Sequence, residues 1–375
     1  MKIKAAVIHE MGLKQPYAET RPMRIEEVEL DPPGPGEVLV RMGAAGLCHS
    51  DLSTVNGDRP RPLPMVLGHE AAGIVEALGE GVGDLEKGDH VVMVFVPSCG
   101  HCMPCAEGRP ALCEPGFAAN STGMLLGGKR RLSRNAGPVY HHVGVSAFAT
   151  HAVVSRRSLV KVDRELPLTE AALFGCAVLT GVGAVVNTAK VPPGATVAVL
   201  GLGGVGLNGV LGALLVGASR VIAVDLLPEK LALARQLGAT DAVNAGDADA
   251  AEQVKALTKG GVDYAFELAG SAKAMELAYK MTRRGGMTVT ASLPHPTHTF
   301  AIPHTNLVAE ERVVRGSYVG SSVPSRDIPR FIDLYRRGKL PVDRLLSEQL
   351  KLEEINLGFD RLAAGKTVRQ MIVFN

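Results

Sequence analysis

The 375-residue chain contains no tryptophan, and aromatic residues make up only 4% of it. Stacking platforms for single-stranded nucleic acid need aromatic faces, so the composition argues against that role. An excess of either charge is also missing: 40 Lys+Arg against 38 Asp+Glu leaves a net charge of +2. No strong field therefore favours nucleic acid, an anionic membrane or an acidic partner. Charged residues at 21% and hydrophobic residues at 46% exclude a disordered or fibrous chain. The opening MKIKAAVIHEMG has no apolar signal core, because Lys2, Lys4 and Glu10 interrupt it. Only one long uncharged run exists, the 29 residues Val191–Ser219, and it carries eight glycines and two prolines. Such a run reads as a buried strand, a tight turn and a buried helix in series, not as a membrane span. The expectation is a soluble cytoplasmic protein with neither nucleic-acid nor membrane partners.

At roughly 100–200 residues per domain, the length predicts two or three domains. The N-terminal part is β-rich. Glu37–Met42, Gly73–Leu78 and His90–Val96 are short Val-rich segments bounded by clusters such as Asp31–Gly36, DPPGPG. The middle part alternates. Strand candidates at Thr196–Leu200, Val221–Asp225, Asp241–Asn244, Val262–Glu267 and Met287–Ala291 are separated by helix candidates near Gly203–Val216, Pro228–Leu237, Asp247–Thr258 and Ala272–Thr282. That alternation predicts βαβ units around a parallel sheet. The last fifty residues predict helices at Asp327–Arg337 and Leu352–Ala364 and a closing strand at Val368–Phe374.

Gly201, Gly203, Gly204 and Gly206 form the GLGGVG that follows the first of those strands and opens a helix. A glycine-rich turn alone says little in a chain with 43 glycines. Its context says more, because the next strand ends in Asp225, 19 residues beyond Gly206. The glycines let the backbone approach a pyrophosphate, and the helix N-terminus offers unpaired N–H groups to it. A carboxylate at Asp225 would accept bonds from a ribose and repel a 2′-phosphate, which predicts NAD over NADP. Leu226 and Leu227 follow, with no arginine for an extra phosphate.

The six cysteines fall into two groups. Cys99, Cys102, Cys105 and Cys113 lie in a loop punctuated by Gly100, Pro104, Gly108 and Pro110. Tight turns can aim several sulfurs at one point, as structural zinc requires. Two disulfides and an iron–sulfur cluster are the alternatives; the first three spacings suit a cluster and the fourth does not. Cys48 and Cys176 remain, with His69 between them in sequence. Two thiols and an imidazole with an open fourth position make a catalytic zinc site, and four plus two accounts for every cysteine.

These motifs resemble the zinc-containing medium-chain alcohol dehydrogenases, essentially end to end. The resemblance rests on GLCHSD at Gly46–Asp51, LGHEAAG at Leu67–Gly73, the four-cysteine lobe, GCAVLTG at Gly175–Gly181, GLGGVG at Gly201–Gly206 and GKTVR at Gly365–Arg369. It implies an α/β fold in two parts: a GroES-like β-rich catalytic domain, residues 1–178 and 322–375, and a Rossmann NAD-binding domain, residues 179–321. It implies two zincs per chain, one catalytic on Cys48, His69 and Cys176 and one structural on the four-cysteine lobe. Asp51 would stand behind His69, and Glu70 would lie beside the metal. Ser50 would take the alcohol proton. His49 and Arg369 would meet the pyrophosphate, and Lys230 the ribose beside Asp225. Val205 and Thr180 would flank the nicotinamide, the backbone of Ser317 and Val319 would hold its carboxamide, and Phe95 would line the alcohol pocket.

The activity so implied is reversible oxidation of a primary or secondary alcohol to an aldehyde or ketone, with hydride passing to NAD. The stretch Glu114–His142 resembles that of the longer, liver-type members, which implies a homodimer. Two features depart from that branch. Ser53 stands where many liver-type enzymes have a proton-relaying histidine. The loop Leu52–Pro64 does not clearly carry the acidic residues of the S-(hydroxymethyl)glutathione dehydrogenase branch, which stays as the alternative activity. A non-catalytic NAD- and zinc-binding module is the remote alternative. His141, His142, His295, His298 and His304 are expected to be solvated or to cap elements.

Overall fold

A computed structural model describes residues 1–374, and they divide into two compact units. The first comprises Met1–Cys176, Val323–Ile332 and the chain from Val342 onward; the second comprises Ala177–Ser322 and Asp333–Pro341.

The first unit is built on twelve strands. Ten precede the second unit in the chain: β1 (Lys2–Ile8), β2 (Met23–Leu30), β3 (Glu37–Gly46), β4 (Met65–Val66), β5 (Glu70–Leu78), β6 (His90–Met93), β7 (Leu132–Arg134), β8 (Gly137–His141), β9 (His151–Ser155) and β10 (Leu159–Val162). β1, β2, β7, β8 and β4 close into a small barrel. Closure leaves no open edge. The period-two alternation of β1 serves two cores at once. Ile3, Ala5 and Val7 fill one with Val28, Leu30 and Val139, while Ala6 and Ile8 enter the other with Val40, Met42 and Phe148.

The second unit carries β11 (Thr196–Leu200), β12 (Arg220–Asp225), β13 (Asp241–Asn244), β14 (Val262–Glu267), β15 (Thr282–Thr290) and β16 (Val313–Gly316). All pairings are parallel, in the order β13-β12-β11-β14-β15-β16. The direction of winding reverses between β11 and β14, so the carboxyl ends of those strands form the switch point where α/β sheets bind ligands. The last two strands, β17 (Leu346–Leu350) and β18 (Arg369–Val373), return to the first unit. They complete a sheet of order β10-β6-β5-β3-β18-β17, with β9 also paired to β3.

The elements expected in the middle of the chain are present with small changes of boundary. The uncharged run Val191–Ser219 contains β11, a turn and the helix Gly204–Leu215. No single helix among the described residues is long and apolar enough to cross a membrane. Two differences are larger. The helix expected at Leu352–Ala364 divides into a 3-10 turn, Leu352–Glu354, and an α-helix, Ile355–Ala363. β15 begins at Thr282, five residues before the expected Met287, because Val262 already pairs with Thr282 across a bulge.

His141 and His142 correct the expectation of solvated histidines, being 0% and 2% exposed. His141 ends β8 and His142 follows it, in a stretch where Val139, Val145 and Phe148 are buried too. Burial, with Arg131 and Arg130 nearby, pushes the His141 imidazole down to about 3. It stays neutral, and its Nε2 accepts the Arg131 backbone N–H at 3.1 Å. The unfolded chain binds a proton at this histidine below about pH 6.5, whereas the folded chain does not, so stability falls as pH drops through that value. The loss from this group is about 1.4 kcal/mol per pH unit, or about 2 kcal/mol at pH 5. His141→Gln keeps an acceptor without the titration. Denaturant unfolding at pH 7 and pH 5 is expected to show a smaller acid loss in this variant, and an equal loss would refute the assignment.

Candidate active site

Cys48, His69 and Cys176 come from three separate elements of the first unit. Cys48 is the N-cap of the helix His49–Val55, His69 precedes β5, and Cys176 ends the 3-10 turn Ala172–Gly175. All three are buried, and their Sγ, imidazole nitrogen and Sγ lie within 4.8 Å of one another. Gly68, at a φ of +92°, makes the turn into His69; a Cβ there would stand 2.7 Å from the Phe148 amide nitrogen.

Asp51, 0% exposed, ties these elements together. One carboxylate oxygen accepts the Cys48 N–H at 3.2 Å, closing a capping box on the helix. The other accepts the Gly68 N–H at 3.2 Å and meets His69 Nδ1 at 3.1 Å. That bond makes Nδ1 the protonated nitrogen and leaves Nε2 with its lone pair. Nε2 is buried and has no hydrogen-bond partner. Cys48 is held well below the usual thiol range by a hydrogen bond from Cys176, against the cost of burial. A buried thiolate, a second thiol and an orphaned imidazole nitrogen aimed at one point fit a metal ion of zinc's chemistry.

Other expected residues surround this centre. The Phe95 ring packs edge-on against His69 with centroids 5.2 Å apart. Ser50 lies half-buried and His49 exposed in the first turn of the helix that Cys48 caps. The Ser53 hydroxyl donates to the His49 carbonyl at 2.8 Å. Glu70, at the start of β5, pairs with the guanidinium of Arg369 at the start of β18, and both are buried. Opposite Glu70 in the β3–β5 register stands Gly46, where a Cβ would come within 2.7 Å of a Glu70 carboxylate oxygen. The structure also adds a residue that sequence reasoning missed. His142 Nδ1 lies 3.3 Å from Asp51, and its ring packs edge-on to His69. The available signal was the apolar run around the His141–His142 pair, which points to burial.

The second group of cysteines gathers in the lobe Cys99–Cys113. None of the six cysteines is in a disulfide, and the four sulfurs here lie within 4.8 Å of one another. Backbone N–H groups point at them: Cys99 N–H to Cys113 Sγ at 3.1 Å, Cys102 N–H to Cys99 Sγ at 3.3 Å, and Gly116 N–H to Cys113 Sγ at 3.4 Å. Amides from His101 and Cys102 lower the Cys99 thiol to about 6. This donor set fits a four-thiolate metal site.

In the second unit, the glycine turn follows β11 at the carboxyl edge of the parallel sheet. Gly201, at a φ of +86°, packs on Ala269, and a Cβ on Gly206 would meet the Gly201 carbonyl at 1.7 Å. A Cβ on Gly203 would meet no protein atom within 4 Å, so open space lies before the helix N-terminus there. Asp225 ends the neighbouring β12, and its carboxylate accepts N–H bonds from Leu202 at 2.6 Å and Leu227 at 3.0 Å. Lys230 sits in the first turn of the following helix, Pro228–Gln236. Thr180 and Val205 lie on helices that touch, since a Cβ on Gly181 would stand 2.2 Å from the Val205 carbonyl. Tight packing behind Gly201 and Gly206 with free space at Gly203 fits a dinucleotide.

Residues 34–164 match the alcohol dehydrogenase GroES-like domain, and residues 204–337 match the zinc-binding dehydrogenase domain. A solved alcohol dehydrogenase zinc-binding domain protein from Burkholderia ambifaria is 36% identical, with 100% of this chain and 99% of that one covered and a TM-score of 0.94. The chain belongs to the zinc-containing medium-chain alcohol dehydrogenases. It is an oxidoreductase. Benzyl alcohol dehydrogenase from Acinetobacter calcoaceticus is similar at 33% identity, with full coverage of both chains and a TM-score of 0.93. A zinc-binding dehydrogenase from Sinorhizobium meliloti, solved with NADP, is 28% identical with full coverage of both and a TM-score of 0.79.

In this chain, Cys105→Ser is expected to lower the metal bound per chain and the thermal midpoint together, because metal binding at such a site is also folding energy. Unchanged metal content and midpoint would refute a metal role for the lobe.

Proposed function

We propose that the protein oxidises a primary or secondary alcohol to an aldehyde or ketone with NAD, reversibly. The observation that carries this reading is the convergence of Cys48, His69 and Cys176 on one point, with His69 Nε2 buried and orphaned. When bound, zinc supplies Lewis acidity toward the alcohol oxygen, and NAD supplies the hydride acceptor. The residues do the rest. Cys48, His69 and Cys176 hold the catalytic zinc while Asp51 fixes the tautomer and direction of His69. Ser50 Oγ accepts the alcohol proton. Phe95 walls the pocket and keeps water from His69. Glu70 holds Arg369, and Arg369 and His49 are the cationic groups for the pyrophosphate. Cys99, Cys102, Cys105 and Cys113 hold a second, structural zinc.

Support for the NAD reading comes from the second unit. The Asp225 carboxylate stands at the end of β12, beside the glycine turn, and Leu226 and Leu227 bring no cation for a 2′-phosphate. Lys230 would meet the ribose, Val205 and Thr180 would flank the nicotinamide, and the backbone of Ser317 and Val319 would take its carboxamide. β16 is an edge strand of its sheet, with Val313 42% exposed on it. That edge suits pairing with a second copy of the chain as a homodimer.

The deciding experiment measures zinc per chain and NADH formation with benzyl, other primary, secondary and glutathione-adduct alcohols. Two zincs and turnover with a simple alcohol are expected; NAD reduction with none of them would overturn the reading. Cys176→Ala is expected to abolish turnover while the four-cysteine lobe keeps its zinc, and retained turnover would remove Cys176 from the site. Asp225→Gly is expected to raise NADP use relative to NAD, and an unchanged ratio would remove Asp225 from the ribose.

A further inference from the structure

Beyond β16, the second unit contains a segment that its own backbone does not favour. Val319, Gly320 and Ser321 have φ of +50°, +64° and +49°, three consecutive residues in the left-handed region. A β-branched residue there is a genuine outlier, and such strain persists only where the surroundings over-determine it. The segment starts at the carboxyl edge of the sheet, where the Ser317 N–H bonds to the Thr290 carbonyl at the end of β15, 2.8 Å away.

What holds it is a second irregularity. Ala184–Ala189 is a π-helical turn, a rare form frequent at functional sites. It places Asn187 and Thr188 side by side against the strained residues. The Thr188 hydroxyl donates to Ser321 Oγ at 2.8 Å and lies 2.7 Å from Ser317 Oγ. Its one proton is committed to Ser321, so Ser317 donates to Thr188. Asn187 adds a bond from its side-chain amide to Ser322 Oγ at 3.2 Å. The turn is pressed close: a Cβ on Gly320 would stand 2.1 Å from the Leu179 carbonyl.

We propose that Thr188 is a positioning residue for the nicotinamide half of the cofactor: its hydroxyl, carried on the π-helical turn, clasps Ser317 and Ser321 and holds the left-handed turn between them in the shape that presents the Ser317 and Val319 backbone to the carboxamide. This rests on the carboxamide reading proposed above. A clasp of this kind acts on the nicotinamide end alone. ADP-ribose, which lacks nicotinamide, separates that role from general support of the fold.

The test is calorimetric titration of the purified, metal-bearing protein with NADH and with ADP-ribose, for the wild type, Thr188→Val and Thr188→Ser. Thr188→Val keeps the shape and deletes the hydroxyl, and Thr188→Ser restores it. The valine variant is expected to bind NADH about tenfold more weakly, about 1.4 kcal/mol. It is expected to bind ADP-ribose as the wild type does, with the serine variant recovering NADH affinity. Ser321→Ala removes the far end of the clasp from an exposed position and is expected to give the same pattern even if Thr188→Val folds poorly. Unchanged NADH affinity, or equal weakening toward both ligands, would overturn the proposal. Wild-type protein that binds NADH no more tightly than ADP-ribose would overturn the carboxamide reading itself, before any variant is compared.

Discussion

A single buried carboxylate organises the cluster of Cys48, His69 and Cys176. Asp51 accepts N–H bonds from Cys48 and Gly68 and meets the imidazoles of His69 and His142, with no exposure to solvent. Burying a carboxylate is costly unless its lone pairs are filled, and here the N–H groups of Cys48, Gly68 and the His69 ring fill them while the His142 ring stands 3.3 Å away. Desolvation raises its pKa, but the two histidines opposing it hold the carboxyl well below the usual range, so it remains charged. Removing any one donor would leave charge uncompensated. The helix His49–Val55, the turn into β5 and the turn after β8 are therefore bound to one point.

The sheet around that point explains how it can be built at all. β3 runs between β5 and β18, so Gly46, Glu70 and the residues at the start of β18 come together by register. Slipping either pairing by one residue would turn Glu70 or Arg369 to the opposite face. Gly46 leaves the space that the Glu70 side chain fills. The ion pair of Glu70 with Arg369 joins residues 299 positions apart in the chain, 369 − 70, and is shielded from screening by its burial.

The second unit follows another logic. Its sheet is parallel, and sheets of this kind bind ligands at the carboxyl ends of their strands, where chain turns are free of sheet pairing. The glycine turn after β11, Asp225 at the end of β12 and the left-handed turn after β16 all occupy that edge. The first two follow a spacing that repeats from strand to helix. The third depends on a π-helical turn whose extra residue breaks the helical period, which is why no pattern in the chain announces it.

Much of the protein was legible in its residues. Cysteine spacing, the glycines of GLGGVG and the alternation of strand and helix are local signals, set by turn chemistry, backbone freedom and periodicity within a few residues. They located the two thiol groups, the glycine turn and the order of elements from Thr196 to Thr290. The site's depth was not local. His142 reads as a solvated or capping residue until the turn after β8 brings it to Asp51, and Arg369, expected at a pyrophosphate, is carried by β18 to Glu70 as well. Thr188 has no motif, and only the π-helical turn brings its hydroxyl to Ser317 and Ser321. The sequence by itself determined which chemical groups the chain owns and which short elements bear them. The tertiary structure alone decided which of those groups lose their water and find one another, because desolvation and pairing between distant residues depend on packing, not on spacing along the chain.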